Sequence, residues 1–413
     1  MAKDVIEMER KSLIQNYART PLVIERGKGC WVWDIHGKKY LDFVSGLGVN
    51  ALGYSHPRIV RALRDQAKKA IHVSNLYYHA YQGPLAAELA KLTGMDRAFF
   101  CNSGTEAVEA ALKLARARGT RIRKSKFEVV ALDNSFHGRT IGALSATGQQ
   151  KYRTEFEPLV PGFRFVRFHD LADLRAAVGE NTCAIILEPI QGEGGIFELS
   201  REYLQAAARL ASEHQALLIL DEIQSGLGRT GDFLASQAAG IQGDIVVLAK
   251  PLAGGLPLGA ILVRDEVAGY LGPGMHGTTF GGGPLACRVA LEFLSVLKRE
   301  RVLKNVRKTG DYFRRRLLGL QKKHPMIREV RGRGLMLAMD LDRPSRTIVL
   351  RALERGLIVN NTHDTVVRFL PPLIVDKKLV DTACKVLDAV LTQAERDAEK
   401  ARQQTLAGAA TLA

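Results

Sequence analysis

Leu217-Leu218-Ile219-Leu220-Asp221-Glu222-Ile223-Gln224 and Ile245-Val246-Val247-Leu248-Ala249-Lys250 are the two stretches that decide the fold. Each is a short run apolar at every position, ending abruptly on charged side chains. A strand that alternated apolar and polar residues would face water on one side. A continuous apolar run reads instead as a strand covered on both faces, as in a parallel sheet between two layers of helices. In such a sheet ligands bind outside the carboxyl ends of the strands, so Asp221, Glu222, Gln224 and Lys250 stand where chemistry is expected.

Working outward, similar runs occupy residues 98–101, 129–132, 183–187 and 260–263, and one interrupted by Arg164 and Arg167 occupies 163–168, separated by stretches of helical periodicity. This alternation predicts an α/β fold with a mostly parallel central sheet and helices on both faces. It places a large domain at residues 58–299. Residues 1–57 form an N-terminal segment, with a hairpin turning at Asp34-Ile35-His36-Gly37. Residues 300–413 read as a smaller α+β domain, with strands at 334–341 and 365–370 and a Gln- and Ala-rich tail that is expected to fray beyond Ala394.

The chain has 413 residues, long enough for a sizeable core and a second domain. Hydrophobic residues make up 46% and charged residues 25%, which excludes a disordered chain. The five cysteines (Cys30, Cys101, Cys183, Cys287 and Cys384) are scattered and form no Cys-x-x-Cys pair, which argues against disulfides or structural zinc and for a reducing cytoplasm. Residues 1–11 are charged and lack the apolar core of a signal peptide, and no run reaches the length of a membrane span. The net charge of +16 raises the question of nucleic acid. The basic clusters at 116–126 and 298–323 carry no interleaved aromatics or nucleic-acid motif, and the second follows helical periodicity, so it reads as a solvated helix face.

Lys250, at a strand end and followed by Pro251 and the Gly254-Gly255 turn, is placed to act as an amine nucleophile if burial and a nearby cation lower its pKa. Asp221 is a carboxylate in need of a cationic partner, which a protonated pyridine nitrogen would provide. A helix cap or a metal ligand is the plainer alternative, but no His or Asp follows at metal spacing, and no metal is expected. Asn102-Ser103-Gly104-Thr105-Glu106 leads from a strand into a helix. Its free backbone N–H groups and hydroxyls suit a phosphate as well as a simple capping box. Gly226-Leu227-Gly228-Arg229-Thr230-Gly231 matches a dinucleotide fingerprint in form. It begins five residues after the strand and lacks the acidic residue about twenty positions on, so that reading is rejected.

These motifs, with Ser74-Asn75-Leu76-Tyr77-Tyr78, Phe136-His137-Gly138-Arg139-Thr140, Gln191-Gly192-Glu193-Gly194-Gly195 and Val367-Arg368-Phe369-Leu370-Pro371-Pro372, resemble the class III pyridoxal-phosphate-dependent aminotransferases of fold type I over nearly the whole chain. The resemblance implies pyridoxal 5'-phosphate as cofactor, carried covalently by Lys250, which also shuttles the proton. It implies that Asp221 holds the pyridine nitrogen, Gln224 the phenolic oxygen, and that Phe136 stacks on the ring beside His137. Ser103, Gly104 and Thr105 would bind the phosphate, joined by the partner subunit's Thr279, so a homodimer with shared active sites is expected. Arg139 and Arg368 would take substrate carboxylates, with Glu193 pairing with Arg368 as a switch. The expected substrates are an ω-amino donor and 2-oxoglutarate. Three positions depart from the family's usual pattern: Tyr54, Pro251 and Gly283.

Overall fold

The computed structural model describes the backbone of residues 2–411. The central sheet contains β1 (Arg97–Cys101), β2 (Glu128–Leu132), β3 (Phe163–Val166), β4 (Thr182–Leu187), β5 (Leu217–Asp221), β6 (Ile245–Leu248) and β7 (Gly259–Val263), in the spatial order β1-β7-β6-β5-β4-β2-β3. The pairings from β6 across to β3 are all parallel, whereas β7 runs antiparallel to both β6 and β1. β7 is therefore the one reversed strand, and the carboxyl ends of the other six open on the same edge.

Burial explains the apolar runs. In β4, Ala184 and Ile186 join one apolar cluster while Ile185 and Leu187 join another; in β5, Leu217 and Ile219 divide from Leu218 and Leu220 in the same way. Successive side chains point to opposite faces of a strand, so burying both faces requires an apolar residue at every position. The helix Gly104–Ile122 covers one face through its run of alanines, which lets it lie close to the sheet. The helix Arg201–Glu213 covers the other.

Beyond residue 300 the helix Val302–Lys323 buries Val306, Phe313, Leu317 and Leu320 and leaves its Lys and Arg residues outside, which accounts for that basic cluster as a solvated face. It packs on a four-stranded antiparallel sheet of β8 (Ile327–Arg333), β9 (Met336–Leu341), β10 (Asn360–Thr362) and β11 (Val366–Phe369), in the order β8-β9-β11-β10. The N-terminal hairpin forms as expected, Trp31–Asp34 against Lys39–Asp42, and Leu357–Ile358 adds to its edge in parallel. Phe313 meets Phe43 and Phe369 edge-on, with centroids 5.4 and 5.2 Å away, so the first and last parts of the chain share one core.

The expected fraying beyond Ala394 does not occur: the final helix runs Lys377–Thr411. Two of its contacts lie beyond that point. Glu395 accepts from His324 at 2.9 Å, and Asp397 pairs with Arg351 at 2.7 Å, so polar anchors continue past the last apolar contact. The departure at Tyr54 is also explained locally. Its hydroxyl donates to Asp42 at 2.7 Å, and a Cβ on Gly27 would lie 2.4 Å from its ring, so the larger side chain fits because residue 27 has none. The loop of the rejected fingerprint serves the fold: buried Arg229 donates to the carbonyls of Leu335 and Pro371.

Candidate active site

Five of the six like-directed strands deliver residues to one cavity of about 390 Å³. After β1 come Asn102, Ser103, Gly104 and Thr105; after β2, Phe136, His137 and Arg139; after β4, Glu188. Asp221 ends β5, with Gln224 just beyond, and Lys250 follows β6. The continuous strands hold their backbones rigidly and the short loops aim the side chains inward.

Lys250 has φ +39°, in the left-handed region that a side chain of its size rarely adopts. Strain of this kind persists where the surroundings over-determine it, often at functional positions. Burial drives the Lys250 ammonium below its usual pKa, helped by Arg368 and opposed by Glu193 and Asp221. A lysine in that environment yields the free amine more readily than one in water.

Asp221 is 3% exposed. Its Oδ1 accepts from the Ile223 N–H at 3.1 Å, and its Oδ2 lies 2.7 Å from Nδ1 of fully buried His137. Glu222, the adjacent acid, points to the opposite side, where Ser225 and the N–H groups of Ala235 and Ser236 hold it. Strand alternation thus assigns one acid to the cavity and the other to the scaffold.

At the start of the helix Gly104–Ile122, Ser103 caps the Glu106 N–H at 3.3 Å, and the Glu106 carboxylate accepts from the Asn102 N–H at 2.6 Å. Among the described residues no oxygen accepts from the N–H of Gly104 or Thr105. Two free donors at a helix N-terminus are a ready anion site. Thr105 Oγ1 accepts from the N–H groups of Arg139 and Thr140, tying this turn to the loop after β2.

A second polar group borders the first. Arg368, 1% exposed on β11, donates to Glu193 at 2.5 Å, to Gln224 at 3.2 Å and to the Gly192 carbonyl at 3.2 Å. Gln224 in turn donates to Glu193 at 3.3 Å, and Thr362 on β10 donates to the Glu193 carbonyl at 2.8 Å. Burial alone would raise the Glu193 carboxyl, but Arg368, with Lys250 and Gln224, outweighs it and holds the pKa below the usual range. Gly192 leaves room for this arrangement: a Cβ would lie 2.4 Å from the Gln224 amide, which would have to move away.

Most of the predicted residues therefore line the cavity, Glu193 and Arg368 border it through Gln224, and one stands apart. Thr279 is exposed and outside the cavity of its own chain. Glu188, which the sequence reading did not single out, lines the cavity and accepts from the N–H groups of Phe136 (2.9 Å) and Gly192 (3.1 Å). Burial pushes its carboxyl up to about 7 against the pull of His137. It follows directly on the apolar run of β4, so the rule that exposed Asp221 and Lys250 would also have found it.

An amine with a depressed pKa, a carboxylate oriented by a buried histidine and a free helix N-terminus on one cavity fit pyridoxal phosphate: aldehyde, pyridine nitrogen and phosphate each meet a complementary group. The fold is that of an α/β enzyme of fold type I. Residues 13–391 match the family model for aminotransferase class-III, and the chain belongs to that family, whose members use pyridoxal phosphate. It is 46% identical over 394 residues to an acetylornithine aminotransferase from Methanocaldococcus jannaschii, covering 95% of this chain and 98% of that one. With an acetylornithine aminotransferase from Aquifex aeolicus the identity is 48% over 380 residues, covering 92% and 99%. A solved ornithine aminotransferase from Toxoplasma gondii, with partial occupancy of PLP at its active site, superposes with a TM-score of 0.93 at 36% identity, covering 96% of this chain and 95% of that one.

Proposed function

We propose that this aminotransferase moves the terminal amino group of N-acetylornithine to 2-oxoglutarate, giving the semialdehyde and glutamate, as a cytoplasmic step of arginine synthesis. The observation that carries the reading is the convergence of Lys250, the Asp221–His137 pair and the free N–H groups of Gly104 and Thr105 on one cavity. The choice of donor rests on the names of the relatives at 46–48% identity. Five buried, unpaired cysteines, their thiols pushed to about 12 by burial, suit a reducing compartment.

Bound pyridoxal phosphate supplies an aldehyde and an electron-poor ring that accepts the electron pair of the broken C–H bond. Lys250 Nζ holds the cofactor and moves the proton. Asp221, oriented by His137, would keep the ring nitrogen protonated, Gln224 would hold the phenolic oxygen and Phe136 would stack on the ring. Ser103, Gly104 and Thr105 take the phosphate. Arg139 takes the carboxylate remote from the reacting carbon. Arg368 stays paired with Glu193 while the donor is bound, and turns to the α-carboxylate of 2-oxoglutarate in the second half-reaction. A guanidinium fork suits each carboxylate.

The partner subunit's Thr279 completes the phosphate site, so the working unit is a homodimer. Exposed Ile71, Leu76, Tyr77, Tyr78 and Phe280 support this, because Asn75 ties their two segments into one apolar patch through the carbonyls of Thr278 and Gly281.

The test is glutamate formation from 2-oxoglutarate with N-acetylornithine, ornithine, N-succinylornithine and 4-aminobutyrate, compared by kcat/KM. N-acetylornithine is expected to lead; a higher value for ornithine would move the assignment to the runner-up activity. Borohydride reduction of the loaded enzyme should fix the cofactor to Lys250.

A further inference from the structure

Arg139 is exposed at the mouth of the cavity, and among the described residues no oxygen accepts a hydrogen bond from its guanidinium. Aromatic rings hold it instead. Its Cζ lies 4.0 Å from the centroid of Tyr152 and 5.6 Å from that of Phe136. The two rings meet edge to face, with centroids 5.9 Å apart at 82°. Tyr152 thus touches both the side chain proposed to stack on the cofactor and the one proposed to receive a carboxylate.

Its own position is fixed from both sides. Tyr152 closes the 3₁₀ turn Gln150–Tyr152. Buried Gln149, just before the turn, donates to the Asn134 carbonyl at 3.1 Å, and Arg153, just after it, lies 4.5 Å from the Phe165 centroid. A ring face attracts a guanidinium without using any of its N–H groups, so the five in-plane donors stay free for a carboxylate. An acidic partner would hold Arg139 as firmly but compete with the substrate. An aliphatic one would leave the long side chain to sample many rotamers, a freedom that must be lost on binding.

We propose that Tyr152 is a positioning residue that presents Arg139 to the donor's carboxylate, and so sets the enzyme's preference for ω-amines that carry one. This rests on the carboxylate role of Arg139 given above.

The test compares two donors in the loaded enzyme: N-acetylornithine, and N-acetyl-1,4-diaminobutane, the same molecule without its carboxylate. The quantity read is the ratio of their kcat/KM values within each variant, which cancels any difference in the amount of folded enzyme. Tyr152→Leu should lower the ratio about fivefold, through KM for N-acetylornithine with kcat retained, and Tyr152→Phe should restore it. Arg139→Ala should lower the ratio further, and adding Tyr152→Leu to it should change nothing more. A ratio unmoved in Tyr152→Leu, or not restored by Tyr152→Phe, overturns the role of Tyr152 while that of Arg139 stands. A ratio unmoved in Arg139→Ala removes the premise and the inference together.

Discussion

Two short polar contacts of similar length lie in the site, and they are built differently. His137 and Asp221 are 2.7 Å apart, both almost inaccessible; Arg368 and Glu193 are 2.5 Å apart, with the Glu193 side chain 23% exposed. Asp221 ends a strand paired on both sides, and the backbone N–H of His137 is held by Thr147. Glu193 sits in a glycine-flanked turn between Ile190–Gln191 and Phe197–Glu198, tethered to the C-terminal sheet by Thr362. Distance therefore does not separate the fixed role proposed for Asp221 from the exchangeable one proposed for Glu193. The backbone behind each acid does: in the roles proposed above, a carboxylate on a rigid strand would serve every step, whereas one on a turn would yield its arginine to a substrate.

Replacing Asp221 with Asn keeps the shape and removes the charge, and should give the largest effect, a fall in kcat of roughly a hundred- to ten-thousandfold in both half-reactions. A loss below tenfold would remove Asp221 from the fixed contact. Glu193→Ala should divide the two half-reactions. With Arg368 freed, glutamate gains on N-acetylornithine by about tenfold in single-turnover kcat/KM, the equivalent of about 1.4 kcal/mol. Equal changes for both substrates would show that the exchangeable contact does not exchange.

The depressed Lys250 pKa sharpens the same contrast through pH. The neutral amine predominates above the folded pKa, so the rate at which apoenzyme acquires cofactor absorbance should rise with pH and level off below 10.5. Continued rise through that value would mean that the cavity does not desolvate the lysine. The smallest effect on catalysis belongs to a contact outside both regions. Asp388 binds Lys323 at 2.7 Å and His324 at 2.7 Å, and Lys323, with His324, holds its carboxyl below the usual value against a raising effect of burial. The stability it contributes is full above about pH 4 and is lost as pH falls through the depressed value. Asp388→Asn should cost about 0.5–1 kcal/mol at neutral pH, because solvent screens this partly exposed pair, seen as a melting point lower by about one degree, with both half-reactions unchanged.

Much of this was readable from the chain alone, for a definite reason. A strand buried on both faces must be apolar throughout, so the inner strands announced themselves, and the residue after each strand that runs with the majority fell on the ligand-binding edge; Asp221 and Lys250 were found in that way. Glu188 obeyed the same rule and was passed over. The motifs around Phe136, Arg139, Glu193 and Arg368 identified the family because their residue types occur together in a fixed order.

Other features depend on contacts between residues far apart in the chain, and no local pattern encodes them. Sequence could not say that β7 runs against its neighbours, that Leu357–Ile358 joins the N-terminal hairpin, or that Glu395 and Asp397 keep the last helix ordered beyond its apolar contacts. Nor could it show that Asp221 faces the cavity while Glu222 faces away, or that Tyr152 lies under Arg139. Apolar patterning reports how deeply a residue is buried. Only the closed tertiary structure determines which partner it meets there, because that depends on the relative placement of separate elements.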